Sequence, residues 1–95
     1  MSDVIEKAVA TMRDKFGDGF DGSAKFVIEG EGTIMIDGAG VRAADEPAEV
    51  TLSASTDTFR AILDGDLSPT AAFMSGKLSI DGDMGQAMRL GSAMG

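Results

Sequence analysis

The sequence of 95 residues contains no cysteine, no histidine, no tryptophan and no tyrosine. Without cysteine, the chain cannot form a disulfide, a thiol nucleophile or a cysteine-ligated zinc or iron–sulfur site. Without histidine, it lacks the side chain that most often acts as a general base and as a transition-metal ligand. A serine–histidine–aspartate triad is therefore excluded, and we expect neither a metal nor a cofactor.

Positive charge is also scarce, since 8 Lys and Arg residues face 16 Asp and Glu residues and the net charge is −8. Such a protein repels the phosphates of nucleic acids, and no basic cluster offsets that repulsion. Docking to an anionic membrane surface is disfavoured for the same reason. No apolar run approaches the ~20 residues that cross a bilayer, and the N-terminus lacks the order of a secretory signal. We expect a cytoplasmic protein that binds no nucleic acid and does not insert stably into a membrane.

The spacing of apolar residues predicts the secondary structure. A helical stripe over residues 3–16 predicts a first helix that ends at Gly17. Alternation with a period of two predicts strands in KFVIEG, TIMID, VRAAD, EVTLSAS and, nearer the C-terminus, KLSID. Helical spacing returns after Thr56 and after Ser68, and MGQAMRL forms the last helical segment.

This order of elements predicts an α+β fold, with about five strands in a mostly antiparallel sheet and one layer of helices on one face. Residues 1–95 are expected to form a single domain, because 43% apolar residues suffice for one core only. Met35 is expected on the wet face of the sheet, beside Thr33 and Asp37. The covered face is expected to carry Phe26, Ile28, Ile34, Ile36, Val50, Leu52, Leu78 and Ile80.

Two kinds of glycine-containing motif resemble binding motifs, one for dinucleotides and one for calcium, but both are better explained as turns. A GxGxxA pattern starts at Gly38, but no helix fits before Pro47 to bind a pyrophosphate. The Asp-Gly segments that begin at Asp64 and Asp81 fail as calcium loops of the EF-hand type, because a serine stands at the twelfth position, where the bidentate acid belongs. Aspartate and glycine in such segments are typical turn residues.

Methionine is abundant, with 7 residues beside only 5 phenylalanines. Unbranched thioether side chains fill irregular gaps in a small core, and they also line cavities that adapt to varied apolar ligands. The methionines concerned are Met12, Met35, Met74, Met84, Met88 and Met94. For these residues the sequence leaves both interpretations open.

The C-terminal half carries several short motifs that follow one another in a characteristic order and spacing. They are a helix ending in Gly65-Asp66-Leu67, then Pro69, Ala72-Phe73-Met74, Gly76-Lys77-Leu78, Ile80, Gly82-Asp83 and Ala87-Met88-Arg89-Leu90. Over residues 59–90 this series resembles the sterol carrier protein 2 (SCP-2) family. A weaker likeness in the first half extends the resemblance over nearly the whole chain.

The resemblance implies a non-catalytic domain with an apolar tunnel between the sheet and the helices. Such domains bind sterols, fatty acids, fatty acyl-CoAs or phospholipids with broad specificity. We expect the tunnel near the later helices, since helices that end at Gly76, Gly82 and Gly91 can part. The expected ligand-binding residues are Ile62, Phe73, Met74, Leu78, Ile80, Met84, Met88 and Leu90.

Two other functions stay open at this point. One is an accessory subunit that presents a lipid or quinone-type intermediate to a partner enzyme. The other is a carboxylate-based enzyme, which the missing catalytic side chains disfavour. Because the chain ends at Gly95 without a longer C-terminal segment or a peroxisomal Ser-Lys-Leu signal, we expect a small stand-alone member of bacterial type. We expect a monomer or a weak homodimer that pairs through an edge or the polar face of the sheet.

Overall fold

The computed structural model describes residues 3–17 and 19–94, with side chains as far as Ser92. Its elements follow the predicted order and are α1 (Asp3–Phe16), β1 (Ser23–Ile28), β2 (Gly32–Asp37), β3 (Gly40–Ala43), β4 (Val50–Ala54), α2 (Thr56–Leu63), α3 (Pro69–Met74), β5 (Leu78–Gly82) and α4 (Met84–Met94). No helix in this described part is long and apolar enough to span a bilayer. The side chain of Met94 lies outside it, so the role expected for that residue stays a prediction.

Local signals in the sequence account for where the helices begin and end. Ser55 and Ser68 cap α2 and α3, because each side chain accepts a hydrogen bond from the backbone N–H three residues later. Pro69 lies in the first turn of α3, where its missing N–H costs nothing. Gly17 follows α1 with a φ of 58°, a left-handed conformation that glycine adopts without strain. The predicted end of α1 is therefore confirmed.

The strands form one sheet in the order β3-β2-β1-β4-β5. β1 pairs with β2 in antiparallel orientation and with β4 in parallel orientation. The β2–β3 and β4–β5 pairs are antiparallel. The sheet is therefore mixed but mostly antiparallel, and β5 is one of its edges.

The core lies between the covered face of the sheet and the helical layer. Phe26 of β1 and Phe59 of α2 meet edge to face, with their ring centroids 4.8 Å apart. α1 contributes Met12 and α4 contributes Leu90, both fully buried. Of the eight residues expected on the covered face, seven are buried, and Ile80 at the sheet edge is partly buried.

The prediction that Met35 faces water is wrong, because its side chain is only 1% exposed. In the register of the sheet, Met35 lies between Lys25 of β1 and Arg42 of β3. Lys25 binds Asp45 at 3.1 Å, and Arg42 binds Glu46 at 3.0 Å. These ion pairs hold the segment after β3 against the second face of the sheet, which accounts for the burial of Met35.

The C-terminal helix is longer than the sequence predicts. Gly91 was expected to end a helix, but it lies inside α4, which continues to Met94. A Cβ atom at Gly91 would lie 3.4 Å from the Cβ atom of Pro69. This is an ordinary van der Waals distance, so α4 lies beside the start of α3 at Gly91. Gly82 ends β5 rather than a helix.

The ion pair between Asp37 and Arg42 makes the stability depend on pH. The two side chains lie 3.0 Å apart and are 22% and 35% exposed, respectively. The hydrogen bond from Arg42, and a second from the Ala39 backbone N–H, lower the pKa of Asp37 below its ordinary value of 3.8. A carboxyl group whose pKa is lowered by folding stabilises the fold above its unfolded pKa, and this contribution is lost as the pH falls through the folded pKa.

We therefore expect Asp37→Asn to reduce the free energy of unfolding near neutral pH and to lose that difference below about pH 4. The effect is small, because both partners are partly exposed and screened by solvent. Denaturant titrations at a series of pH values measure it. Asp81→Asn is the control, since it changes the net charge equally at a carboxylate without an ion pair among the described residues. A constant difference between wild type and Asp37→Asn down to about pH 2 would contradict the prediction.

Candidate functional site

A cavity of about 360 Å³, here named the α3–α4 groove, opens to the surface between α3, β5 and α4. It is lined by Leu52, Ser68, Pro69, Thr70, Phe73, Leu78, Ile80, Met84, Ala87, Met88, Gly91 and Ser92. Three of these residues are polar, and each of the three carries a hydroxyl group. The groove is therefore a mainly apolar site in the range of roughly 300–1,000 Å³ that small ligands occupy.

The register of α4 builds one wall of the groove. Met84, Ala87, Met88 and Gly91 recur at intervals of three and four residues, so they share one face of the helix. Ala87 is buried, whereas Met84 and Met88 are 44% and 60% exposed. The two thioether side chains stand at the open side of the groove, where flexible groups adapt to ligands of different shape.

The facing wall is formed by α3. Ala72 is the one fully buried residue of this helix. Phe73 follows it about 100° further round the helix, where it lines the groove and is 42% exposed. Leu52 and Leu78, each 2% exposed, form the floor. An apolar ligand that covers Phe73 and the two methionines removes their surface from water, which favours binding by about 25 cal/mol per Å².

The groove has one polar end. Ser68 and Thr70 begin α3, and Ser92 lies in the last turn of α4. The close approach of Gly91 to Pro69 brings these two helix ends together. The first turn of α4 lies about 10 Å away along the helix axis, at ~1.5 Å per residue, and contributes only apolar surface. The groove therefore runs from hydroxyl groups at one end to aliphatic side chains at the other.

A second cavity, of about 370 Å³, lies between α1 and α2. It is lined by Val4, Lys7, Ala8, Thr11, Phe59, Arg60, Leu63 and Asp64. Half of these residues are polar, and Lys7, Arg60 and Asp64 are charged. An apolar ligand would have to displace water from these charges, which is costly. We therefore take the α3–α4 groove as the candidate site.

The structure brings five of the eight predicted site residues together in the groove: Phe73, Leu78, Ile80, Met84 and Met88. Ile62 and Leu90 lie in the core, where they are 1% and 0% exposed. Met74 is 81% exposed and does not line the groove. Contact of these residues with a ligand stays a prediction.

Several lining residues were not predicted from the sequence. Ala87 and Gly91 share the helix face of Met84 and Met88, so the spacing within MGQAMRLG is a signal for them. Ser92 extends the same wall only because α4 continues beyond Gly91. No sequence signal distinguishes a capping serine from one that also lines a groove.

The ionisable side chains of the described residues lie outside the groove. The same part of the chain holds no group of three or more side chains suited to bind a metal ion. The arrangement suits binding an apolar molecule and shielding it from water.

The geometry agrees with a comparison against known protein families. Residues 10–95 match the SCP-2 sterol transfer family. The chain belongs to this family. The resemblance inferred from the C-terminal half of the sequence is therefore confirmed, and it extends into α1.

Curated relatives are much longer than this chain. The chain is 40% identical over 100 residues to hydroxysteroid dehydrogenase-like protein 2 of Xenopus tropicalis, which covers 97% of this chain and 22% of that protein. It is 40% identical over 47 residues to human sterol carrier protein 2, which covers 50% of this chain and 9% of that protein. The chain thus spans about a fifth, or less, of these vertebrate proteins, and its expected bacterial origin stays a prediction.

Solved structures share the fold. Sterol carrier protein 2 from Aedes aegypti, in complex with palmitate, has a TM-score of 0.78 at 22% identity and covers 99% of this chain and 96% of its own. The ubiquinone synthesis protein UbiJ-SCP2 has a TM-score of 0.60 at 16% identity and covers 98% of this chain and 79% of its own. At these identities the likeness concerns the fold, and it confirms the predicted α+β architecture.

Because Leu90 lies in the core and Met88 lines the groove, truncating these two side chains should lower the free energy of unfolding by different amounts. Leu90→Ala should lower the free energy of unfolding by about 2–5 kcal/mol, because it leaves a cavity in the core. Met88→Ala should change it by less than about 1 kcal/mol, because a substitution at an exposed position removes little packing. Urea denaturation of both variants measures the difference. Equal losses in the two variants would contradict the assignment of Leu90 to the core and of Met88 to the groove.

Proposed function

We propose that residues 1–95 form a single domain that binds and carries hydrophobic ligands without changing them chemically. The observation that carries this proposal is an apolar groove of about 360 Å³ that no charged side chain of residues 3–17 or 19–92 lines, in a chain of the SCP-2 family. The ligand classes are those of the family resemblance: fatty acids, fatty acyl-CoAs, sterol-like molecules and phospholipids. The domain acts in the cytoplasm, as a monomer or a weak homodimer.

Several observations support a lipid as the occupant. The Aedes aegypti neighbour with a TM-score of 0.78 is a palmitate complex. In this chain, Phe73, Met84 and Met88 expose large apolar side chains around the groove. An elongated apolar ligand would cover these side chains and leave its polar head at the hydroxyl end.

The expected affinity follows from the buried chain. Burying about ten methylene groups at ~0.8 kcal/mol each contributes about 8 kcal/mol. Loss of translational and rotational freedom and ordering of side chains offset several kcal/mol of this sum. Because a dissociation constant of 1 μM corresponds to about 8 kcal/mol, we expect affinities weaker than micromolar.

Met88→Asp should weaken the binding of lipids with a long hydrocarbon chain by at least about tenfold, because a carboxylate on the apolar wall would lose hydration when the ligand arrives. Met74→Asp is the matched control. It introduces the same charge on an 81% exposed residue outside the groove, so binding should change little. Native mass spectrometry, with extraction and identification of co-purified lipid, measures occupancy in the three proteins. Full occupancy in a folded Met88→Asp variant would remove the α3–α4 groove as the binding site.

A second candidate function is an accessory subunit that presents a lipid or quinone-type intermediate to a partner enzyme. It is supported by the structural neighbour UbiJ-SCP2, a ubiquinone synthesis protein. It is also supported by Met74, which offers an exposed apolar side chain beside the groove. A partner enzyme that receives the ligand would cover this side chain together with the neighbouring Phe73 at the groove.

The accessory function predicts that one enzyme is recovered with the wild-type chain in stoichiometric amount. Met74→Asp should weaken that complex while the variant still carries lipid, since Met74 does not line the groove. Quantitative affinity purification with both proteins as bait, combined with an assay of the recovered enzyme on the carried lipid, measures this. Recovery that is equal for both baits would exclude Met74 from the contact, and the absence of a stoichiometric enzyme would favour free carriage.

A further inference from the structure

The polar groups that line the α3–α4 groove are hydroxyls alone. Ser68, Thr70 and Ser92 supply them, and all three residues are exposed. Ser68 accepts a hydrogen bond from the Ala71 backbone N–H at 3.0 Å, which leaves its O–H to donate. Because a hydroxyl group both donates and accepts hydrogen bonds, this end of the groove suits an alcohol or a carbonyl group.

No side chain in the described part of the protein brings positive charge into the groove. Lys77 precedes the lining residue Leu78 in the sequence, and Arg89 follows the lining residue Met88. Neither basic side chain lines the groove itself. Arg89 points away from it and binds Asp21 at 3.3 Å, with the ring of Phe20 at 6.0 Å. At this exposed end an ionised head group would keep part of its hydration, but the part of it that contacts the groove would lose hydration without gaining a counter-charge from a lining side chain.

The backbone at the hydroxyl end does not replace the missing charge. Ser92 lies in the last turn of α4, where unpaired carbonyl groups carry partial negative charge, and that turn contains no basic residue. The facing end of α3 offers little compensation. Of its first three residues, Pro69 has no N–H and the N–H of Ala71 is already bound to Ser68, which leaves the N–H of Thr70 to face a head group.

We infer that the α3–α4 groove selects lipids with an uncharged polar head, such as a long-chain alcohol, ester, ketone or quinone, over lipids with an ionised carboxylate or phosphate. This inference rests on the proposed function and narrows its ligand class. The apolar walls bind the hydrocarbon part of either kind of lipid. The hydroxyl end then discriminates between their head groups.

The cavity between α1 and α2 differs from the α3–α4 groove because basic side chains line it. Lys7 and Arg60 line it, and neither forms an ion pair among the described residues. The cationic side chains that would favour an acidic head are thus found between α1 and α2, whereas the apolar cavity lies between α3 and α4. Neither of these two cavities, as the described residues line them, offers an acidic lipid both features.

The test compares dodecanol with laurate, which have the same number of carbons, at about pH 8, where the carboxyl group is ionised. Protein labelled with ¹³C in its methionine methyl groups is titrated with each ligand. The methyl groups of Met84 and Met88 report binding in the groove, and that of Met74 is an internal control outside it. We expect dodecanol to shift the two groove signals and to bind at least about tenfold more tightly than laurate.

A positive charge placed at the hydroxyl end should reduce the preference for dodecanol over laurate. Thr70→Lys adds a cation at an exposed lining position, and Thr70→Gln adds a neutral side chain of similar length. Relative to Thr70→Gln, Thr70→Lys should bind laurate about threefold or more tightly, the effect of a partly exposed charge pair. The two variants should bind dodecanol equally.

The outcomes separate this inference from the proposed function. If laurate shifts Met84 and Met88 and binds as tightly as dodecanol to the wild-type protein, the inference fails while lipid binding in the groove stands. If Thr70→Lys and Thr70→Gln bind laurate equally, the hydroxyl end does not contact the head group and the inference also fails. If neither ligand shifts the methyl signals of Met84 and Met88, both the inference and the proposed function fail.

Discussion

Ala72 is the single residue of α3 that the core buries fully, and the existence of the groove depends on this contact. A methyl group occupies little volume, so it secures α3 to the sheet without filling the space on either side. Phe73, the larger neighbour, stays outside the core at 42% exposed. The helical layer therefore closes over β1 and β4, where Phe59 packs on Phe26, but leaves the edge at β5 open.

The same constraint gives the groove a movable wall. α3 has six residues, and its stabilising local features are the Ser68 cap and Pro69 in the first turn. A short helix with one fully buried side chain has low local stability, and elements of low local stability are those that move when ligands bind. The opposite wall is better anchored, because Leu90 fixes α4 in the core. α3 is therefore the wall of the groove that is more suited to shift when a ligand binds.

Periodicity in the sequence predicts most of the fold, because strands and helices each impose a repeat on their apolar residues. It fails at Met35, where the alternation is correct but the segment after β3 is held on that face by ion pairs, one of which joins Lys25 to Asp45, 20 residues away in the sequence. It also fails to sort Leu90 from Met88, since both are apolar residues of one helix. Only the direction in which α4 packs decides that Leu90 enters the core and Met88 the groove. Such a direction depends on tertiary contacts.

Tolerance for the hydrocarbon and selectivity for the head group arise from different parts of the groove. Met84 and Met88 have unbranched side chains at its open side, so they adjust to chains of different shape at little cost. Ser68 is held by its cap to α3, and a hydroxyl fixed in this way presents a defined donor. Adaptable walls lower the penalty for a poorly fitting chain, but they do not provide the counter-charge that an ionised head requires. A protein built in this way distinguishes its ligands by charge at one end and accepts variation along the rest.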